Sequence, residues 1–181
     1  MTNVPASPDY FELFGLTPRF ALDLDALEIA YQRVQSRVHP DRHAAGTAAD
    51  RRAAMHWAAL ANEAYRTLRD EGRRAAYLCE LAGVPIDASS NTAMPASFLA
   101  RQLEWREALA ESRAQGLPVA ELQAEVDEQR SETLRALAEA LDFAQDRKHA
   151  AALVRQLMFI DRFRAELRAG GESRSAHSTR G

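Results

Sequence analysis

The 181-residue sequence has little that could cross-link or anchor it. Cys79 is the only cysteine, so the chain can form no internal disulfide and has no cysteine pair for a zinc ribbon or an iron–sulfur cluster. A lone thiol indicates a reducing, intracellular compartment. No run approaches the roughly 18 consecutive apolar residues of a membrane helix, and the amino terminus lacks the pattern of a signal peptide. We expect a soluble, untargeted protein.

Motifs of enzyme active sites and of nucleic-acid surfaces are also missing. The eight glycines form no phosphate-binding loop, and no nucleophile elbow or pair of catalytic carboxylates occurs. The formal net charge of −3 is too balanced for a general attraction to nucleic acid. Arg51-Arg52 and Arg73-Arg74 lack interleaved aromatic residues for base stacking, so we expect these arginines at helix surfaces. The sequence therefore predicts no enzymatic activity, no nucleic-acid partner and no membrane partner.

Charge is distributed unevenly along the chain. Residues 31–80 contain nine arginines and six acidic residues, a balance of +3, whereas residues 94–146 contain five arginines and eleven acidic residues, a balance of −6. This asymmetry indicates two modules with different partners. Two solvated helix faces are the alternative explanation.

Helix-forming residues are abundant. Alanine, leucine, glutamate and arginine dominate, and no segment alternates apolar and polar residues as a half-buried strand would, so the sequence predicts an all-α fold. The second helix is capped by Asp23 and must end before Pro40 for steric reasons. In the third helix, Met55, Ala61 and Leu68 are available for packing. The predicted helices cover about 7–14, 24–39, 48–69, 73–81, 94–115, 119–144 and 149–169.

We divide the chain at the turn-rich segment after Gly83. This gives a first domain over residues 8–83, a linker over 84–93 and an antiparallel three-helix bundle over 94–169. Residues 170–181 are rich in glycine, serine and arginine, and we expect them to be disordered.

His39-Pro40-Asp41, directly after the second helix, is the most specific motif. Its setting includes the flanking residues Tyr31, Arg33, Arg37 and Arg42, the later run Asn62-Glu-Ala-Tyr65, and Tyr10-Phe11 to Gly15-Leu16 ahead of it. The stretch from about Asp9 to Tyr77 resembles a J domain. The resemblance implies docking on a DnaK-type chaperone and stimulation of the chaperone's ATPase.

The residues of this motif also suit that role physically. Pro40 fixes its own φ and restricts His39, so Asp41 is presented by a stiff loop and its carboxylate can pair with an arginine of a partner. Arg33 and Arg37 lie four apart on one helix face and, with Arg42, can steer an encounter with an acidic surface. The predicted chaperone-binding residues are Tyr31, Arg33, Arg37, His39, Pro40, Asp41 and Arg42. The alternative is that Asp41 only caps the next segment and the arginines are merely solvated.

A metal site at the same motif is the rival chemical interpretation. His39, Asp41 and His43 are potential ligands within five residues. Pro40 removes the helix on which two histidines four apart could chelate a metal, and His56 and His149 are isolated. We expect no metal and no cofactor.

Two motifs of the second module resemble the HscB family. Phe98-Leu-Ala-Arg-Gln102-Leu-Glu-Trp-Arg-Glu107 resembles the first helix of that family's carboxy-terminal domain, and Val154-Arg-Gln-Leu-Met-Phe159-Ile-Asp161 resembles its last helix. The resemblance implies an L-shaped co-chaperone whose J domain engages the HscA chaperone and whose bundle holds the scaffold protein IscU during iron–sulfur cluster assembly. No paired-cysteine zinc module of the mitochondrial type is present, which favours a bacterial, cytoplasmic member.

The resemblance also implies a scaffold-binding patch. Carried over by position, it comprises Leu99, Ala100, Leu103 and Phe159, flanked by Glu104, Arg106 and Glu107. Spacing alone favours buried positions for Leu99 and Leu103 rather than an exposed patch, because a leucine pair at helical spacing ordinarily belongs to the core. Phe98 and Trp105 suit the core better. Ala100 is smaller than the apolar residue often found there in the family. The alternative function is a general J-domain co-chaperone whose bundle binds another client or self-associates.

Overall fold

Every regular element in the described part of the chain is a helix, which confirms the predicted all-α fold. The protein is represented by a computed structural model that describes residues 9–38, 47–86 and 94–178, with backbone alone for Val38 and residues 170–178. None of the helices in these ranges is long and apolar enough to cross a membrane. The helices are α1 (Tyr10–Phe14), α2 (Leu24–Val38), α3 (Ala48–Arg69), α4 (Glu71–Leu81), α5 (Ala96–Gln115), α6 (Ala120–Ala138) and α7 (Arg147–Ser178). A π-helical turn over Glu139–Phe143 follows α6.

A local sequence signal accounts for the start of α2. The side chain of Asp23 accepts hydrogen bonds from the backbone N–H groups of Asp25 and Ala26, at 2.9 and 3.1 Å, and so caps the helix as predicted. The described part of the helix reaches Val38, and the residues at which the helix was expected to end, His39 and Pro40, lie outside the described residues. Asp23 therefore begins the helix that leads, along the chain, to the His39-Pro40-Asp41 motif.

Glycines in the left-handed conformation end two other helices. Gly15 follows α1 with φ 67°, and Gly116 follows α5 with φ 68°. Both N–H groups bond to carbonyls of the helix that they end, and side chains other than glycine rarely adopt this φ. The predicted ends of these two helices, near residues 14 and 115, are confirmed.

The last helix extends beyond its predicted end at Ala169. The backbone of α7 is helical to Ser178 and includes Gly170 and Gly171. A glycine within a helix costs only about 1 kcal/mol relative to alanine, and no proline follows to block the helix sterically. The expected disorder is therefore wrong for residues 170–178, whose backbone is helical. Residues 179–181 lie outside the described residues.

Contacts divide the chain into two compact units, Met1–Leu78 and Cys79–Gly181, with the division inside α4. The predicted domain boundary lies a few residues later, after Gly83. Part of the predicted linker, residues 87–93, is outside the described residues. The proposed domain limits of 8–83, 84–93 and 94–169 therefore stay predictions.

The first unit packs α1, α2 and α3 around aromatic and small side chains. Small residues on the inner face of α3 allow the neighbouring helices to approach closely. Met55 is 54% exposed, so its predicted role in packing is wrong, whereas Ala61 and Leu68 are fully buried. The buried residues of these three helices are Phe11, Phe14, Leu27, Ala30, Ala54, Ala61, Ala64, Thr67 and Leu68.

Arg74 is buried, with 5% of its surface exposed, which corrects the expectation that both arginines of Arg73-Arg74 lie at a helix surface. Its Nε donates to the carbonyl of Phe20 at 2.9 Å, and its Nη1 donates to the carbonyl of Leu68 at 2.5 Å. The guanidinium also lies over the Phe20 ring, 5.1 Å from the centroid. Arg74 therefore ties α4 to the end of α3 and to the loop before α2.

The second unit buries one face of α5, α6 and α7 in a common core. Trp105 is 1% exposed, and its indole N–H donates to the carboxylate of Glu125 on α6 at 2.9 Å. Arg130 on α6 pairs with Asp161 on α7 at 2.7 Å. These contacts join the three helices of the predicted bundle. Its core comprises Phe98, Trp105, Leu109, Val119, Val126, Ile160, Phe163 and Leu167.

Replacing Arg74 should destabilise the first unit. We expect Arg74→Met to lower the free energy of unfolding by about 2–4 kcal/mol, because two buried carbonyls lose their charged donor. Urea unfolding followed by circular dichroism measures the loss. The matched control is Arg73→Met, an exposed neighbour that should change stability by less than about 0.5 kcal/mol. Equal effects of the two substitutions would contradict the assigned role of Arg74.

Candidate functional site

The predicted chaperone-binding residue Tyr31 is engaged between α2 and α3. Its hydroxyl donates to Oδ1 of Asn62 at 2.8 Å, and its ring stacks on that of Tyr65 with centroids 4.3 Å apart. Nε2 of Gln35 donates to the same Oδ1 at 2.6 Å and to the Tyr31 hydroxyl at 2.9 Å. We call Tyr31, Gln35 and Asn62 the α2–α3 clasp. It attaches the second half of α2 to α3 at two successive turns.

The basic residues of α2 lie at its surface. Arg33 and Arg37 are both exposed, four residues apart, so the structure places them on one face of the helix. The remaining predicted residues of this site, His39, Pro40, Asp41 and Arg42, lie outside the described residues. The described part of the site is thus an exposed basic face that leads directly to the motif.

Glu28 forms a second polar link between α2 and α3. The hydroxyl of Tyr65 donates to its carboxylate, and Nε2 of Gln32 donates to the other oxygen at 3.0 Å. The Tyr65 hydrogen bond is the main reason why the pKa of Glu28 lies below its usual value of 4.5, and Gln32 adds to the effect. The same bond raises the pKa of Tyr65. This part of the helix contact therefore favours the ionised form of Glu28.

The two leucines of the predicted scaffold patch are exposed. Leu99 is 39% exposed and Leu103 is 58% exposed, whereas Phe98 and Trp105 are 6% and 1% exposed. The core position that spacing alone favoured for the leucines is therefore wrong, and the expected burial of the two aromatic residues is confirmed. The other α5 residues of the patch, Ala100, Glu104, Arg106 and Glu107, are exposed as well.

Phe159 of α7 links this surface to the bundle core. It is half-buried, and its ring lies 5.9 Å from that of Phe98, 6.5 Å from that of Trp105 and 6.1 Å from that of Phe163. The guanidinium of Arg106 lies 5.7 Å from the ring centroid. The structure thus brings Arg106 and Phe159 together although they are distant in sequence. The core fixes the Phe159 ring while part of it stays accessible.

Met158 and Phe143 are among the exposed apolar residues that the sequence analysis missed. Met158, next to Phe159, is 39% exposed, and Phe143, at the end of the π-helical turn, is 71% exposed. Methionine at a helical position usually fills core space, so its residue type alone gave no reason to place it outside. Met158 lies off the row of buried residues that includes Leu157 and Ile160, and this offset was the signal that could have identified it as exposed.

Cys79 is fully buried, and its thiol lies 3.9 Å from the carbonyl of Arg147. Burial raises the pKa of the thiol, which lowers its reactivity as a nucleophile. Among the described residues, no group of three or more histidine, cysteine or acidic side chains could hold a metal ion. The rival metal ligands His39, Asp41 and His43 lie outside those residues.

Removing the Tyr65 hydroxyl should change the titration of Glu28. We expect Tyr65→Phe to raise the pKa of Glu28 toward 4.5, because its strongest hydrogen bond is lost. A pKa lowered by folding stabilises the protein above the unfolded-state pKa, and this stabilisation disappears as pH falls through the folded-state pKa. An NMR titration of the Glu28 carboxyl carbon measures the shift. Tyr77→Phe is the control, and an unchanged pKa in Tyr65→Phe would contradict the assigned cause.

Polar replacement of the exposed leucines should leave the bundle folded. We expect Leu99→Ser with Leu103→Ser to lower stability by only about 1 kcal/mol in total, mainly through helix propensity. Trp105→Ala, the buried comparison, should cost about 3–5 kcal/mol. Urea unfolding of the three proteins distinguishes the two classes of position. Loss of the fold in the double leucine variant would place both leucines in the core after all.

Comparisons with known proteins agree with both halves of this structure. A family model described as the HscB C-terminal oligomerisation domain matches residues 94–168. The co-chaperone protein HscB homolog of Bordetella avium is 50% identical over 164 residues, which cover 91% of this chain and 98% of that protein. The homolog of Ralstonia nicotianae is 50% identical over 159 residues, 87% of this chain and 90% of that protein.

Solved structures show the same likeness. Chaperone HscB from Vibrio cholerae superimposes with a TM-score of 0.80 at 34% identity, covering 92% of this chain and 99% of that one. The human co-chaperone protein HscB gives a TM-score of 0.83 at 25% identity, covering 92% and 83%. The fold is therefore a J domain followed by a carboxy-terminal helical bundle. The chain belongs to the HscB family of co-chaperones.

Proposed function

We propose that this co-chaperone stimulates the ATPase of an HscA/DnaK-type chaperone and delivers an IscU-type scaffold protein to it during iron–sulfur cluster assembly and transfer. The observation that carries the proposal is the exposure of Leu99 and Leu103 on α5, the helix whose Arg106 lies over the half-buried Phe159 ring. Three apolar side chains held at the surface of a folded bundle are suited to a protein partner.

The composition of this surface is that of a specific interface. Burying a fully exposed leucine contributes about 1.5–3 kcal/mol, and about half of the surface of each leucine is exposed, so Leu99 and Leu103 together can contribute roughly 1.5–3 kcal/mol to the affinity. Charged residues surround them, as at the rim of many interfaces, and they favour a partner with complementary charge. These residues are Glu104, Arg106 and Glu107. Ala100 offers less apolar area than a larger residue would.

The J domain supplies the contact with the chaperone. Arg33 and Arg37 steer the encounter toward an acidic surface, and Asp41, held beside Pro40, pairs with an arginine of the chaperone. Tyr31 acts from within the α2–α3 clasp and holds α2 in place. ATP hydrolysis takes place on the chaperone. The chain itself is not an enzyme and needs no cofactor or metal.

Joining both surfaces in one chain makes the delivery efficient. A scaffold bound to the bundle is brought to a chaperone that is already held by the J domain, so the second contact forms at a high effective concentration. Two weak contacts can then recruit better than either alone. We place this activity in the bacterial cytoplasm, where the chaperone, the scaffold and this chain meet.

Single-turnover ATP hydrolysis by the HscA-type chaperone of the same organism tests the proposal. We expect this chain to accelerate hydrolysis and the IscU-type scaffold to increase the rate further. Asp41→Asn should reduce the stimulation by about tenfold or more, because a desolvated charge pair is lost. Leu99→Ser with Leu103→Ser should keep the stimulation by the chain alone but lose the additional effect of the scaffold.

The outcomes separate the proposed function from its alternative. Stimulation that depends on Asp41 but ignores the scaffold would identify a general J-domain co-chaperone with another client. No stimulation at all would contradict the chaperone assignment. Retention of the scaffold effect in the double leucine variant would show that another surface binds the scaffold.

A further inference from the structure

Arg106 and the two exposed leucines of α5 lie in one row along the helix. Leu99, Leu103 and Arg106 are separated by four and then three residues, so their side chains share a face of the helix. All three side chains are exposed. A positively charged residue therefore follows two apolar ones in a row that faces solvent.

Helical rotation places Arg106 at the edge of this face that is nearest to α7. Successive residues are rotated by about 100°, so Arg101 and Arg106 lie about 140° apart around α5. The guanidinium of Arg101 lies 3.6 Å from the Glu125 carboxylate of α6, whereas that of Arg106 lies over the Phe159 ring of α7. Leu99 is only about 20° from Arg106 in rotation, so it lies at the same α7 edge.

The Phe159 ring has aromatic neighbours in the core and a charged neighbour at the surface. Phe98 meets the ring edge-on at 86°, and the rings of Trp105 and Phe163 lie within 15° of parallel to it. These three neighbours are buried, whereas Arg106 is exposed. A guanidinium within about 6 Å of an aromatic centroid is attracted to the negative face of the ring. Arg106 therefore restrains the ring from the side that a partner would approach.

We propose that Arg106 is a positioning residue for scaffold binding: its guanidinium holds the Phe159 ring at the α7 edge of α5, so that Phe159, Leu99 and Leu103 form one apolar surface. This inference rests on the proposed function and narrows the role of Arg106 from a charged rim residue to one that acts through Phe159. Because its charge is engaged by the ring, Arg106 does not pair with an acidic group of the scaffold.

The other charged residues of the patch are acidic. Glu104 and Glu107 are exposed on α5, at rotations of about 160° and 100° from Arg106, and so they lie away from the α7 edge. The scaffold surface that complements the patch is therefore apolar where it meets Phe159 and the two leucines, and basic where it meets the two glutamates.

A double-mutant cycle measures whether Arg106 acts through Phe159. Isothermal titration calorimetry of the full chain with the IscU-type scaffold of the same organism gives the Kd. Arg106→Ala should raise the Kd about two- to fivefold in the wild-type chain, the range expected for one cation–π contact. In the Phe159→Leu background the same substitution should raise the Kd less than about 1.5-fold, since both residues act on one contact. Equal fold-changes in the two backgrounds would overturn the inference.

Arg106→Lys separates positioning of the ring from pairing of charges. Lysine keeps the positive charge but lacks the planar guanidinium that stacks on an aromatic face, so the Kd should rise nearly as much as in Arg106→Ala. A Kd equal to that of the wild-type chain would show that Arg106 pairs with a charge on the scaffold. The effect of Glu104→Gln, in contrast, should shrink as ionic strength rises, because exposed charges are screened.

The Phe159 ring provides a spectroscopic signature in the free chain. Its ring-proton NMR shifts should change in Arg106→Ala, because the guanidinium over the ring is removed. The matched control is Arg101→Ala, an arginine of the same helix that pairs with Glu125 at the α6 edge. Arg101→Ala should leave the Phe159 shifts unchanged and alter the Kd by less than about 1.5-fold, since exposed ion pairs contribute little. Unchanged Phe159 shifts in Arg106→Ala would contradict the assigned contact.

Failure of the inference is distinguishable from failure of the proposed function. If the wild-type chain binds the scaffold and Arg106→Ala behaves like Arg101→Ala, Arg106 does not position Phe159 for binding. If the wild-type chain does not bind the scaffold, the proposed function is wrong and the inference fails with it.

Discussion

Burial of Trp105 decides which side of α5 faces outward. Its ring stacks with those of Phe159 and Phe163 on α7, and its indole N–H bonds to Glu125 on α6, so a single side chain contacts both partner helices. A helix that turns this side chain inward must turn the positions on its opposite side outward. Leu103 is exposed for that reason. The candidate scaffold surface therefore depends on the same packing that holds the bundle together.

In the J domain, polar groups decide which side of α2 faces outward. Tyr31 and Gln35 bond to one oxygen of Asn62, and Glu28 bonds to Tyr65, so α2 is held against α3 by directional contacts as well as by the buried Leu27. Hydrogen bonds fix the rotation of a helix more narrowly than apolar contacts, because their geometry is directional. The exposed face of α2 is correspondingly well defined, and it carries the charge that the proposed chaperone contact requires.

Arg74 illustrates where reasoning from residue type fails. Arginine is mostly exposed, and two adjacent arginines on a predicted helix suggest a surface. Here one of the two is buried because backbone carbonyls at the end of α3 and in the loop before α2 need donors, and Arg74 supplies them. The chain separation between Phe20 and Arg74 is 54 residues, so no local pattern could have revealed this contact.

The sequence by itself determined the all-α class, the cap at Asp23, the helix ends before Gly15 and Gly116, and the membership of a family through its motifs. These features rest on the local rules of backbone conformation, which act within a few residues. Only the tertiary structure decided that Leu99 and Leu103 are exposed, that Arg74 is buried and that Asn62 accepts bonds from two turns of α2. Each of these depends on what a distant segment places beside the residue. Helical spacing shows which side chains share a face, but the partner helix decides whether that face is covered.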